Sequence, residues 1–540
     1  MSYTSLKFAF FVAVLAAVYF LFPFKKQKWT VLLAGSYLFY LLAGYRYAFY
    51  ILITTLTTYL AGIYLDKISV KAKEILAQNK TQWDREQKKA FKNETGKKKR
   101  RIVASVLVLN FGILGFLKYY NFFAGSLNDV LGVFGIPFSA PTLQLILPLG
   151  ISFYTFQSMG YVIDVYREKV KAEKNLAKIA LFVSFFPQII QGPIGLYDDL
   201  ARQLYEPHDF DFTRFKHSCE LILWGVFKKL IIADRAVQVI SGATNNYGDY
   251  NGTALMLIVL LYALQLYADF SGGIDISRGV AQIFGIQMAE NFRRPYFARN
   301  ISEYWRRWHM SLGAWMRDYV FYPIAMSKLF LNASKAMKKS RFGATQFGAH
   351  VAKVLPTSFA SLIVFFLVGV WHGDNWKYAA FGLWNGGIIM LSTLLEPVFE
   401  SWAVGLKIKT ASFGFRLFQM ARTFLVVAIG YVFDIAPDLL DSLISFKRIL
   451  LDQNWQVGLA QIRQLPLDAW DYLVLAISSL ILLGASIIQE RNDGKTIRQM
   501  LDEKPFALRL FVILMGIMMI MVFGWYGPGF SAAEFVYMQF

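Results

Sequence analysis

The sequence predicts an all-α, polytopic transmembrane protein. Apolar stretches of spanning length recur along the chain, charge is scarce, and the basic residues are gathered in blocks beside the apolar stretches. Of 540 residues, 56% are hydrophobic, 17% aromatic and only 17% charged, and the mean hydropathy is +0.41. A water-soluble domain is typically about a quarter charged, so composition alone places most of this chain in lipid.

A spanning helix needs about 20 mostly apolar residues. About eleven stretches qualify: 6–22, 29–44, 47–65, 102–123, 143–165, 253–270, 358–371, 378–395, 415–433, 472–488 and 506–525. The first has no cleavable small-residue site and is followed by Lys25, Lys26 and Lys28, so it reads as a retained span. After the third comes a loop, 66–101, with thirteen Lys or Arg against five Asp or Glu. Residues 328–353 carry six basic side chains and no acid. Such blocks beside apolar spans follow the positive-inside rule, which accounts for the formal charge of +20. No module that stacks bases accompanies the charge, so nucleic acid is not an expected partner.

A cytoplasmic loop 66–101 puts the N-terminus outside. Counting from the other end agrees: 434–471 holds six Asp against Lys447, Arg448 and Arg463 and suits the outer side, 490–504 falls inside, and the tail falls outside. Segment 181–193 contains Pro187, Gln188, Gln191, Gly192 and Pro193 and is too short and broken for an ordinary span. Irregular backbone survives at that depth only inside protein or beside a wet cavity, so a re-entrant element is expected. No repeat of fixed period interrupts the chain. It reads as one polytopic domain, 1–540, with a cytoplasmic basic loop 66–101 and an extracytoplasmic tail 526–540. The single cysteine, Cys219, permits no internal disulfide.

The chain has five histidines, and two sit where histidine is least expected. His372 lies in F-F-L-V-G-V-W-H-G, between Gly369 and Gly373, and His309 in W-R-R-W-H-M-S-L. An ionisable group at membrane depth is expensive and marks a functional site by default, and imidazole is the usual proton carrier near neutral pH. Asn300 with Glu303 has capping-box spacing and predicts a helix start. From there Trp305, Trp308, His309, Leu312 and Met316 share one face of a continuous amphipathic helix, with Arg306 and Arg307 on other faces. Trp and Arg in that density also suit a membrane interface, which leaves His309 as either an anchor or a functional group. Segment 264–278 sets Gln265, Asp269, Ser271, Asp275 and Arg278 in apolar surroundings, as an internal polar network supporting the site would. Asp275 and Arg278 are three apart and can pair. Two histidines without a convergent carboxylate or cysteine cluster make a weak metal case, so no metal is expected. The tail ends in F-V-Y-M-Q-F, with Phe535, Tyr537 and Phe540 suited to a pocket or to the interface.

Six segments, in order, carry a resemblance: G-I-S-F-Y-T-F-Q at 150–157, S-F-F-P-Q-I-I-Q-G-P-I at 184–194, L-Q-L-Y-A-D-F-S-G at 264–272, N-F-R-R-P-Y at 291–296, Y-W-R-R-W-H-M-S-L at 304–312 and V-W-H-G at 370–373. Together with the terminal F-x-Y-x-x-F, the chain resembles the membrane-bound O-acyltransferase family. It is most similar to the bacterial polysaccharide O-acetyltransferase branch of the alginate type. G-G-I-D at 272–275 and A-M-S-K at 325–328 depart from the commoner family pattern.

The resemblance implies many helices and re-entrant elements around a central funnel in the bacterial inner membrane. It implies that His372 is the near-invariant family histidine, His309 the second active-site position and Tyr537 an acyl relay. No cofactor is bound permanently. An acyl group, acetyl by the branch, comes from a cytosolic thioester, acetyl-CoA or an acyl carrier protein. It crosses to a hydroxyl of an extracytoplasmic polysaccharide, aided by an SGNH-hydrolase-like acyltransferase partner outside. On this reading His372 takes the hydroxyl proton while His309 orients or polarises the thioester carbonyl and protonates the leaving thiolate. Trp305, Trp308 and Trp371 wall the pocket, and Arg306 and Arg307 steady an anionic donor. D-alanyl transfer to teichoic acid, transport of an envelope precursor and a scaffold role are the alternatives. Transport predicts internal inverted repeats, which the sequence lacks.

Overall fold

The computed structural model describes residues 3–245, 247–492, 494–527 and 535. Among these the chain is helical, and the extended pairing present is a single antiparallel bridge between Phe292 and Trp308. Seven helical runs among the described residues are long and apolar enough to cross a membrane: Lys25–Gln78, Arg85–Val133, Gly252–Ile283, Gln346–His372, Phe413–Ile435, Ala469–Arg491 and Phe506–Phe523. An eighth is present if Trp376–Leu394 and Glu396–Gly405, bent by 60° at their junction, count as one span. The protein is a multi-pass membrane protein.

The apolar stretches are distributed among these helices unevenly. Stretches 29–44 and 47–65 lie in one run, Lys25–Gln78, broken only by a short tight turn of helix at Tyr45–Tyr47. Stretch 6–22 forms Leu6–Leu21, whose 16 residues make a helix of about 24 Å, short of the hydrocarbon core. Stretch 143–165 is helical only from Ile151 to Tyr166. Pro148 lies before that helix, and Gly150 sits in the left-handed region at φ 68°. A Cβ on Gly150 would lie 2.3 Å from the Ile189 carbonyl oxygen, so only glycine fits there.

The chain divides into two compact units, Met1–Cys219 with Ser277–Ala289, and Glu220–Ile276 with Glu290–Phe540. In the first unit the expected broken segment is present as two short helices, Leu176–Ser184 and Phe186–Gln191. Pro187 is tolerated because it stands in the first turn, where its missing N–H is not needed. Backbone groups freed at the break are taken up by side chains, as an apolar interior requires. Gln157 Nε2 donates to the Phe182 carbonyl at 2.7 Å, and the Pro187 carbonyl accepts from Tyr3 Oη at 2.6 Å and from Ser277 Oγ.

The basic loop also belongs to the first unit. The helix Arg85–Val133, with 49 residues, is about 74 Å long, more than twice the hydrocarbon thickness. The basic residues of 66–101 therefore sit largely on helical extensions that outrun the lipid. Asp84 caps one of them through a reciprocal capping box with Gln87. Glu168 ties the extensions together, 2.7 Å from Lys73 Nζ and 2.9 Å from Lys99 Nζ. Hydrogen bonds from Lys73 and Lys99 bring the Glu168 carboxyl from its ordinary 4.5 down to about 2. Because the folded value is the lower one, the tie is fully present above pH 4.5 and is lost as pH falls through 2.

In the second unit, Phe227, Ile231, Ile232, Ala236 and Ala268 form a core with Leu475 and Leu482 of the helix Ala469–Arg491.

Candidate active site

His372 is the last residue of the helix Gln346–His372, and Gly373 follows in extended conformation. Asn375 starts the next helix, Trp376–Leu394, its side chain accepting from Lys377 N at 3.0 Å. The two helices touch backbone to backbone. A Cβ on Gly369 would come within 2.3 Å of the Tyr378 carbonyl oxygen, and one on Gly382 within 2.3 Å of Phe365 O. Gly369 and Gly382 thus serve a close helix crossing. That crossing holds the imidazole against Trp371 and Phe381, with ring centroids 5.3 and 5.6 Å away.

His309 reaches the same place by a different route. The expected continuous helix over 300–316 is interrupted. Asn300 does cap its start, accepting from Glu303 N at 2.8 Å, but the helix stops at Arg307 and a new one begins at Met310. Between them Trp308 is extended and His309 is left-handed, at φ 46° and ψ 52°. The cause is tertiary pairing with 291–293, which claims backbone groups that a helix would have used. Arg293 N donates to Arg307 O at 2.9 Å and Met310 N to Asn291 O at 3.0 Å, on either side of the Phe292–Trp308 bridge. Left-handed non-glycine residues are sparsely populated and tend to occur at functional sites.

The break turns His309 inward. It is 2% exposed and His372 8%. The His309 ring stands edge-on to Phe270 at 4.9 Å and lies 6.2 Å from Trp371. Trp371 therefore touches both imidazoles. Burial, reinforced by His372, pushes the His309 imidazole down to about 3, which makes it neutral at physiological pH. Asn291 is fully buried beside it, with Oδ1 3.2 Å from His309 Nδ1.

The three tryptophans line this region. Trp308 is buried against Phe292 at 4.9 Å and Tyr304 at 5.6 Å. Trp305 packs on Phe365 at 5.0 Å and donates Nε1–H to Asn385 Oδ1 at 3.2 Å. Arg307 is ion-paired with Glu303 at 2.8 Å and with Glu490 at 3.1 Å, and Glu490 also binds Arg294. Arg306 is exposed.

Asp269 and Asp275 lead to a feature that sequence reasoning missed. Asp269, fully buried, lies 2.7 Å from Lys229 Nζ, and Asp234 lies 2.8 Å from the same ammonium. Asp275 lies 2.8 Å from Lys228 Nζ, which also donates to Ser271 Oγ at 2.8 Å. Both lysines stand on a stretch of π-helix, Lys228–Ala233, a rare form found disproportionately at functional sites. The signal was available: two lysines in G-V-F-K-K-L-I-I-A need buried counter-charges. The network reaches the histidines through the neighbour of Asp269, since Phe270 is the ring that packs on His309.

The chain beyond the last span returns to this stretch. Trp525 N donates to Leu230 O at 2.9 Å, and the Phe535 ring lies 4.3 Å from Lys229 Nζ. Tyr537 lies outside the described residues. Among the described residues no three His, Cys, Asp or Glu side chains gather as a metal site would require.

Two buried imidazoles in one aromatic enclosure can move a proton where water is excluded, as ester formation from a hydroxyl demands. Comparisons with known proteins bear on the family and the reaction class. A model of the membrane-bound O-acyltransferase family matches residues 168–338. A probable alginate O-acetylase of Azotobacter vinelandii is 30% identical, covering 78% of this chain and 72% of that protein. One from Pseudomonas putida is 32% identical over 69% of each chain. A peptidoglycan O-acetyltransferase of Helicobacter pylori is 29% identical over 52% of this chain and 53% of its own.

Proposed function

The chain belongs to the membrane-bound O-acyltransferase family, and we propose that it moves an acetyl group from a cytosolic thioester to a hydroxyl of an extracytoplasmic polysaccharide. It is an acyltransferase. The observation that carries the finer reading is the shared enclosure of His372 and His309, with Trp371 against both rings. The acetyl group and the polysaccharide are supported by the names of the relatives, a probable alginate O-acetylase and a peptidoglycan O-acetyltransferase.

In the proposed reaction a hydroxyl oxygen attacks the thioester carbonyl, a C–O bond forms and the C–S bond breaks. The hydroxyl proton moves to His372, and a proton goes to the departing sulfur by way of His309. Trp305, Trp308 and Trp371 keep water from hydrolysing the thioester. Acetyl-CoA and an acetylated carrier protein both supply the required thioester. The basic extensions at 66–101 face the cytosol in this scheme and favour an acidic donor by steering. The termini face outward from the bacterial inner membrane, where an SGNH-hydrolase-like partner takes the acyl group onward.

Tyr537 is the proposed relay. Free tyrosine has a pKa near 10, so about one molecule in a thousand is ionised at pH 7 and a base must activate it. Purified protein incubated with labelled donor should carry the label on its C-terminal peptide, and Tyr537→Phe should remove it. A full label on the Phe variant rejects the relay. Chemical analysis of envelope polysaccharides with and without this protein tests the whole reading. Loss of acetyl esters is expected, and an unchanged ester content contradicts it.

A further inference from the structure

The hydrogen bonds around Asn291 fix more than a position. Its Oδ1 receives the Ser311 backbone N–H at 2.9 Å and the Ser311 hydroxyl at 2.9 Å. A backbone N–H can only donate, so the amide atom facing it must be the oxygen; the reverse orientation would set donor against donor. That same oxygen lies 3.2 Å from His309 Nδ1. An amide oxygen carries no hydrogen, so the hydrogen in this contact belongs to Nδ1. In a neutral imidazole the other nitrogen then bears the lone pair.

We propose that Asn291 is a positioning residue that locks His309 in the tautomer with its hydrogen on Nδ1, so that Nε2 meets the substrates as a proton acceptor. The proposal rests on the acyl-transfer reading and changes the part of one group within it. A neutral His309 has no Nε2 hydrogen with which to polarise the thioester carbonyl. It can protonate the sulfur only after receiving a proton. The hydroxyl proton leaves oxygen as the C–O bond forms and reaches Nε2, directly or through His372. It passes to sulfur as the C–S bond breaks, and the ring ends as it began. The left-handed backbone at His309 serves the same end, because it brings Nδ1 of residue 309 and both donors of residue 311 to one oxygen. Among the described neighbours of the ring, Phe270 and Trp371 are uncharged, and His372 favours the neutral form.

The tautomer can be read without turnover. Nitrogen-15 NMR of the full-length protein labelled at histidine, in lipid nanodiscs, distinguishes protonated from bare ring nitrogens, and His309→Gln identifies the signal. The wild type should show hydrogen on Nδ1 and a bare Nε2, and Asn291→Ala should populate the other tautomer. Asn291→Asp keeps an acceptor for both Ser311 and His309, so it should fold and hold the wild-type tautomer. Its carboxylate favours the imidazolium, so the acid limb of the acyl-transfer pH profile should move to higher pH. Asn291→Ala should slow transfer by roughly tenfold to a hundredfold with no shift of that kind. A wild-type His309 with its hydrogen on Nε2, or an Asn291→Asp profile superimposable on the wild type, overturns the assignment. If the protein transfers no acyl group at all, the acyl-transfer reading fails while the NMR result still decides the tautomer.

Discussion

Alanine at position 372 stops acyl transfer while leaving the protein folded. A positioned general acid or base contributes on the order of 10²–10⁴-fold to rate, and losing His372 should cost at least the lower end of that range. The fold should survive because the helix crossing beside His372 is made by Gly369, Gly382 and the backbone at Tyr378, none of which uses the imidazole. Among the described contacts, the truncation removes those with Trp371 and Phe381, about 1 kcal/mol per ring pair. His372→Gln, which retains bulk and hydrogen-bonding capacity but cannot carry a proton near neutral pH, should be equally inactive. Transfer assays on protein matched for monodispersity and amount separate the two effects. Appreciable activity in either variant contradicts the assignment of His372 to proton transfer.

The second large effect is on stability. Replacing Lys229 by methionine removes the ammonium that Asp234 and Asp269 share, in a place where all three side chains are at most 1% exposed. Removing one partner from a buried ion cluster typically costs about 3–5 kcal/mol, because a charge out of water loses compensation that the fold had supplied. The Lys229→Met variant should therefore unfold at markedly lower temperature in detergent. It should also lose activity, since Asp269 adjoins the phenylalanine that packs on His309. The diagnostic is rescue. Removing the charge entirely, as in Lys229→Met combined with Asp234→Asn and Asp269→Asn, should restore most of the lost stability. A single Lys229→Met variant with an unchanged unfolding temperature would show that the cluster is not the structural tie it resembles.

The parts of this architecture that follow from local rules were legible in the sequence. Hydropathy located most of the apolar helices, and Asn300 with Glu303 marked a helix start correctly. Pro187 and its neighbours signalled the interrupted segment, where the structure has two short helices. His372 and His309 stand out in the sequence by rarity and setting, and the structure buries both. What escaped was imposed from a distance. Nothing in the spacing of Trp305, Trp308, His309 and Leu312 reveals a break, because the apolar periodicity continues across it. The break comes from Asn291 and Arg293, which pair with the backbone at Met310 and Arg307. In the same way the sequence exposed Asp269 and Asp275 as acids in apolar surroundings, and offered Arg278 beside Asp275, without pointing to the two lysines. Lys228 and Lys229 lie some forty residues earlier and reach them only in the folded chain.

The central claim is that the two imidazoles act on one proton during ester formation, and single-turnover acyl transfer tests it most directly. Wild type, His309→Gln, His372→Gln and the double variant would be compared with labelled acetyl donor in nanodiscs. Groups that work as one unit are strongly non-additive. Each single variant should therefore lose most of the activity, and the double variant should fall no further than the worse of the two. Wild-type rates in either single variant, or losses that multiply in the double variant, would contradict a shared proton path.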